Sequence, residues 1–134
     1  MPYKILKHSA DIKLEVTGKT LEELFKSALE AMSKIMLPNP TEKPPIKREI
    51  SVTAPDSTIL LIDFLNEVLE NVDIYKEVYT DIFFLQLTDN KIEAEIYGIH
   101  PNAIRKNIKA VTFHEADIAR TKDGWLKTKI VFDI

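Results

Sequence analysis

Asp11 and Asp133 are the residues of this chain whose placement invites chemistry. Each stands at the end of a run that reads as a strand, and Asp133 precedes the terminal residue Ile134. If an antiparallel sheet brings these ends together, two side-chain carboxylates and a terminal carboxylate form an all-oxygen cluster, a donor set that suits a hard cation such as calcium or magnesium. Solvated surface carboxylates are the competing reading, and spacing alone leaves both open. His8, His100 and His114 are too scattered to form a metal-binding helix, and a lone histidine is more often a structural hydrogen bonder than a catalyst. Lys109 reads by itself as a solvated strand residue. The chain has no Gly-rich phosphate loop, no H-E-x-x-H, no G-x-S-x-G and no dinucleotide fingerprint. It also has no cysteine, which removes disulfides, thiolate zinc sites and cysteine nucleophiles.

These residues need elements to hold them. Tyr3 to Lys7 reads as a short strand, and His8 to Asp11 as a polar break. Ile12, Leu14 and Val16 then alternate with Lys13, Glu15 and Thr17 at the period of a half-buried strand. Gly18 turns the chain, and Thr20 with Glu23 forms a capping box for a helix from Leu21 to about Met36. The four prolines between Leu37 and Pro45 make a loop. Ile46 to Thr53 suits an edge strand. Asp56 and Ser57 offer an N-cap for a second helix from about Thr58 to Asn71, with Asp63, Asn66, Glu67 and Glu70 on its polar side. A polar connection is expected around Asp73 to Asp81, then two strands, Ile82 to Thr88 and Lys91 to Tyr97, joined at Asp89-Asn90. Gly98 to Asn107 reads as irregular and Ile108 to Ile118 as β-rich; a turn at Lys122-Asp123-Gly124 leads to a last strand ending at Ile134. The expected fold is α+β, two helices packed on a largely antiparallel β-sheet, with residues 1–134 forming a single compact domain.

The 134 residues suit one domain, and 45% hydrophobic with 29% charged residues is an ordinary globular composition. A net charge of −3 argues against a protein that holds nucleic acid by phosphate neutralisation, so any RNA is expected to be carried by a partner. No apolar run reaches the roughly 20 residues that span a bilayer, and the N-terminal residues lack a secretory pattern. A cytoplasmic, membrane-free protein is expected.

The segment His8-Ser9-Ala10-Asp11-Ile12, followed by Gly18-Lys19-Thr20-Leu21-Glu22-Glu23-Leu24-Phe25, resembles the opening of the archease family. So do Leu60-Leu61-Ile62-Asp63-Phe64-Leu65-Asn66-Glu67, Ile108-Lys109-Ala110-Val111-Thr112-Phe113-His114 and the ending Val131-Phe132-Asp133-Ile134. The likeness is collinear and spans the chain. It implies a protein cofactor, not an enzyme: an activator of the RtcB-type 3′-phosphate RNA ligase of tRNA splicing that promotes ligase guanylylation and multiple turnover, with tRNA engaged only indirectly. It also implies a divalent cation, calcium, held by Asp11, Asp133 and Ile134, the last through its terminal carboxylate or backbone oxygen. His8, Asp63, Lys109 and His114 are the candidate contacts to the partner or a phosphate. Two positions depart from the family pattern: Ser9 stands where Thr is common, and Ile99, in the divergent 98–107 stretch, where Glu is frequent. A chaperone or adaptor for another tRNA-processing or tRNA-modifying enzyme is the alternative. A metal-dependent hydrolase is disfavoured because no general base or nucleophile accompanies the carboxylates.

Overall fold

The structure, a computed structural model, describes residues 2–6, 11–39 and 45–134. His8, Ser9, Ala10 and part of the proline loop therefore lie outside the described residues. The elements run β1 (Tyr3–Leu6), β2 (Asp11–Gly18), α1 (Leu21–Met36), β3 (Ile46–Thr53), α2 (Ser57–Tyr75), β4 (Val78–Leu87), β5 (Lys91–Ile99), β6 (Ala110–Thr112), β7 (Ala119–Arg120) and β8 (Leu126–Asp133). The class is α+β, as expected, but the strands divide into two antiparallel sheets. One has the order β1-β2-β8-β6 with β7 also paired to β8, and the other the order β3-β5-β4. Each helix touches strands of both sheets. The core they share includes Leu14, Phe25, Leu29, Phe64, Tyr79, Ile96 and Phe132, and the Phe25 and Phe64 rings join the helices with centroids 5.7 Å apart.

The local signals held where a side chain settles a backbone donor nearby. The Thr20 hydroxyl accepts the Glu23 amide at 3.1 Å, while the Glu23 carboxylate reaches back one residue past the cap to accept the Lys19 amide at 3.1 Å. Asp56 caps α2 by accepting the Ile59 amide at 2.9 Å. Gly18 is required by close approach: a Cβ there would stand 2.5 Å from the Leu24 backbone nitrogen. Gly18→Ala is expected to cost about 1–3 kcal/mol of overpacking, read as a lower denaturant midpoint at constant m; an unchanged midpoint would show that the strand-to-helix turn has room to give.

Several boundaries differ from expectation. Asp11 belongs to β2 and not to the preceding break. The connection expected around Asp73 to Asp81 is mostly regular structure, because α2 continues to Tyr75 and β4 begins at Val78; only Lys76, in the left-handed region at φ 57°, and Glu77 turn the chain. Ile108 to Ile118 is not one strand. It holds the three-residue β6 and then a turn with Glu115 at φ 62°, which ends the pairing.

Candidate functional site

β2 opens at Asp11 and β8 closes at Asp133, and the antiparallel register sets these two residues directly opposite one another. Their side chains therefore leave the same face of the sheet. β6 enters on the other side of β8 with Ala110 opposite Asp133, and the Lys109 amide donates to the Asp133 carbonyl at 2.7 Å. Asp11, Asp133, Ile134 and Lys109 are thus gathered at one end of one sheet. Asp133 and Lys109 are exposed and Asp11 is half-buried. Ile134 packs against the core, which anchors the end of the chain beside the aspartates.

Two like charges directly opposite in a sheet destabilise it, so this pair favours a cation. Among the described residues no three or more His, Asp or Glu side chains group as a metal centre. The available donors are the two aspartates with the oxygens of Ile134, an all-oxygen set whose chemistry fits a hard divalent ion.

The other candidates are placed differently. His8 lies outside the described residues. His114 is 76% exposed, with Nε2 3.7 Å from Glu115 Oε2. Glu115 in turn meets Lys13, and Lys129 at 3.8 Å. The Lys13 ammonium is the main cause that holds the Glu115 carboxyl below the usual carboxylate range. Asp63 sits half-buried on α2, and one turn further on Asn66 reaches β6. Its Oδ1 accepts the Val111 amide at 2.9 Å, and its Nδ2 donates to the Val111 carbonyl at 2.9 Å and to the Ile62 carbonyl at 3.1 Å.

Asn66 thereby does for the outer edge of β6 what a further strand would do, which keeps this short strand in place beside β8. Sequence reasoning assigned it to the solvated side of α2, and the one available signal was an amide beside a wide apolar stripe. Asn66→Asp removes the donor to Val111 while keeping size; about 2 kcal/mol of stability should be lost, the usual cost of a buried polar group left unpaired. A melting temperature equal to wild type would show that Asn66 is not needed to hold β6.

α2 and β8 together fix the far end of this segment: the Thr58 hydroxyl of α2 accepts the Ile118 amide at 3.0 Å, and the Thr128 hydroxyl of β8 accepts the Asp117 amide at 2.9 Å. Phe113, 51% exposed, and His114 project between these anchors. The divergent stretch after β5 is tied down as well, since the Arg105 amide donates to the Met36 carbonyl at 2.9 Å and so satisfies a carbonyl at the end of α1. It delivers the chain to Lys109.

Comparison with known proteins bears on this geometry. The sequence matches the archease protein family over residues 3–134. The archease of Methanosarcina barkeri is 32% identical, the match covering 98% of this chain and 95% of that protein. That of Thermoplasma volcanium is 31% identical with both chains fully covered. The solution structure of Methanobacterium thermoautotrophicum protein 1598 superposes with a TM-score of 0.79 at 26% identity, covering 99% of each chain. The crystal structure from Thermotoga maritima, described as an archease and possible chaperone, gives 0.62 at 26% identity, covering 98% of this chain and 96% of that one.

Proposed function

The chain belongs to the archease family, and from that premise we propose that it is a non-enzymatic activator of the RtcB-type 3′-phosphate RNA ligase in tRNA splicing, promoting ligase guanylylation and repeated turnover in the cytoplasm. The observation that carries the reading is the direct opposition of Asp11 and Asp133 at a sheet end. With the oxygens of Ile134 these residues would hold a divalent ion, calcium, which supplies concentrated positive charge at the surface presented to the partner. Asp11 and Asp133 bind; β6, held by Asn66, keeps β8 and so Asp133 in register; Lys109 at the acidic end, and His114 beside Glu115, are the contacts to the ligase or a phosphate. The protein changes the ligase by binding its guanylylation-competent state more tightly than the other states. No helix of the described residues is long and apolar enough to cross a membrane.

The test is ligation with RNA in excess over ligase, with and without this protein. Acceleration of the steady-state phase, with little change in a single turnover of pre-guanylylated ligase, is expected. Equal rates with and without the protein would move the reading to a chaperone or adaptor for another tRNA-processing enzyme. The Thermotoga maritima relative's description as a possible chaperone is what keeps that second reading in view.

A further inference from the structure

The outer face of the β3-β5-β4 sheet takes no part in the acidic site, which lies on the other sheet. Its cross-strand rows can be followed from the register. Lys47 stands beside Tyr97 and Asp81, Glu49 beside Glu95 and Phe83, and Ser51 beside Glu93 and Gln86. The residues between, Ile50, Ala94, Ile96 and Ile82, are buried on the helix-covered side.

Two large apolar side chains break the polar pattern of this outer face. Phe83 is 56% and Leu85 58% exposed. Leu85 follows Phe83 outward by alternation, and a bulge leaves it unpaired: the register shifts between Phe84 and Gln86, so Gln86 also faces out opposite Glu93 and Leu87 returns to the core side opposite Ile92. Bulges re-aim side chains and recur beside working surfaces. Neighbouring exposed apolar groups rimmed by charge mark interaction sites.

The rim is acidic. Glu49, Glu93, Glu95 and Asp81 share the face with two lysines, and both lysines are engaged by its glutamates, Lys47 with Glu95 at 3.3 Å and Lys91 with Glu93 at 2.8 Å. Glu95 also accepts the Tyr97 hydroxyl at 2.9 Å. That bond, with Lys47, keeps it below the usual carboxylate range and so ionised. Among the described residues Glu49 forms no salt bridge. A shallow groove of about 300 Å³ runs between Glu49, Leu85 and Glu93. Strand addition at the β4 edge is opposed by the two irregularities in that strand.

We infer that this face docks a cationic surface of a partner protein, with Phe83 and Leu85 as apolar anchors and Glu49, Glu93 and Glu95 as complementary carboxylates. Choosing the ligase as that partner rests on the function proposed above: an enzyme that handles RNA carries cationic surface for phosphates, and an acidic, apolar-centred face is its complement. Docking here is physically separate from the Asp11 end, so affinity and activation are separable.

The experiment measures binding of the purified RtcB-type ligase from the same source to wild type, to Phe83→Ser/Leu85→Ser and to Glu49→Lys, with ligation assayed in parallel. The double variant is expected to bind roughly 30-fold more weakly, as for loss of a central anchor pair. The concentration needed for half-maximal stimulation should rise by a similar factor while the plateau and the melting temperature stay at wild-type values. Glu49→Lys should weaken binding most at low salt. Equal affinity of wild type and double variant, with stimulation intact, would overturn the docking face and leave the proposed function standing. Wild type that neither binds nor stimulates the ligase would overturn both. Sedimentation of the protein alone checks the other occupant: self-association that the double variant abolishes would assign the face to a second copy of this chain and overturn the inference.

Discussion

Asp11→Ala is expected to leave the ligase at its unassisted multiple-turnover rate, a complete loss of stimulation, while the variant stays folded. The physical reason is that Asp11 is one of two carboxylates set opposite each other at the end of β2 and β8, and losing it removes half of the facing pair that would hold the ion. It lies on the face of β2 opposite the one that carries Leu14 and Val16 into the core. Removing one of two opposed charges even relieves repulsion, of a few tenths of a kcal/mol for a directly opposed pair.

A readout independent of the ligase follows. With chelator present, variant and wild type should melt within a few degrees of each other. Added calcium should raise only the wild-type midpoint, since a ligand of the native state stabilises by RT ln(1 + [L]/Kd), about 2.7 kcal/mol at a hundredfold excess over Kd. Wild-type stimulation by the variant, or an equal calcium response in both proteins, would sink the assignment of Asp11 to the ion.

Glu77→Gln is expected to lower stability by about 3 kcal/mol and the melting temperature by roughly 10 °C. Glu77 is buried at the junction of α2 and β4. Its Oε1 accepts from Arg48 Nε at 3.0 Å and from the Tyr79 hydroxyl at 2.6 Å, and its Oε2 accepts from the Arg48 guanidinium at 2.9 Å. The guanidinium lies 3.6 Å from the centre of the Tyr75 ring. One network thereby joins β3, the last turn of α2 and the start of β4. Glutamine has a single acceptor and would turn its amide donors toward arginine donors. The loss is set at the lower end of the range for breaking a buried pair because the Arg48 side chain is 34% exposed.

The same network has a pH signature. The Arg48 hydrogen bond, with help from the Tyr79 hydroxyl, holds the Glu77 carboxyl below the usual carboxylate range. A carboxyl that binds its proton more weakly folded than unfolded stabilises the fold above its unfolded pKa, about 4.3. That stabilisation is lost as pH falls through the lower folded value. Wild type should therefore lose stability steeply below about pH 4, and Glu77→Gln should show a flatter acid limb; parallel limbs would exclude Glu77 as the titrating group.

What the sequence determined by itself is what short-range physics decides. The Thr20–Glu23 cap, the apolar stripe of α1, the Asp56 cap and the Thr88-to-Lys91 hairpin all depend on residues a few positions apart. Each appears at or near its expected position. The meeting of Asp11 and Asp133 was legible as a possibility because both residues ended alternating runs, and the family likeness marked the same pair.

The tertiary structure alone decided the rest, since it turns on contacts between residues far apart in the chain. Two sheets form instead of one because strand partnership is a long-range choice that alternation does not encode. Asn66 serves β6 across 45 residues, and Arg48 meets Glu77 across 29, so neither pairing leaves a local pattern. Ile108 to Ile118 has the composition of one strand, yet it breaks after Thr112, and beyond the break Thr128 and Thr58 take over backbone groups that a longer ladder would have paired. Gln86 and Leu87 read as continuing the alternation of β4 until the bulge exchanges the faces they take. Side-chain periodicity determines which way a residue can face, and only the packed partners determine what it faces.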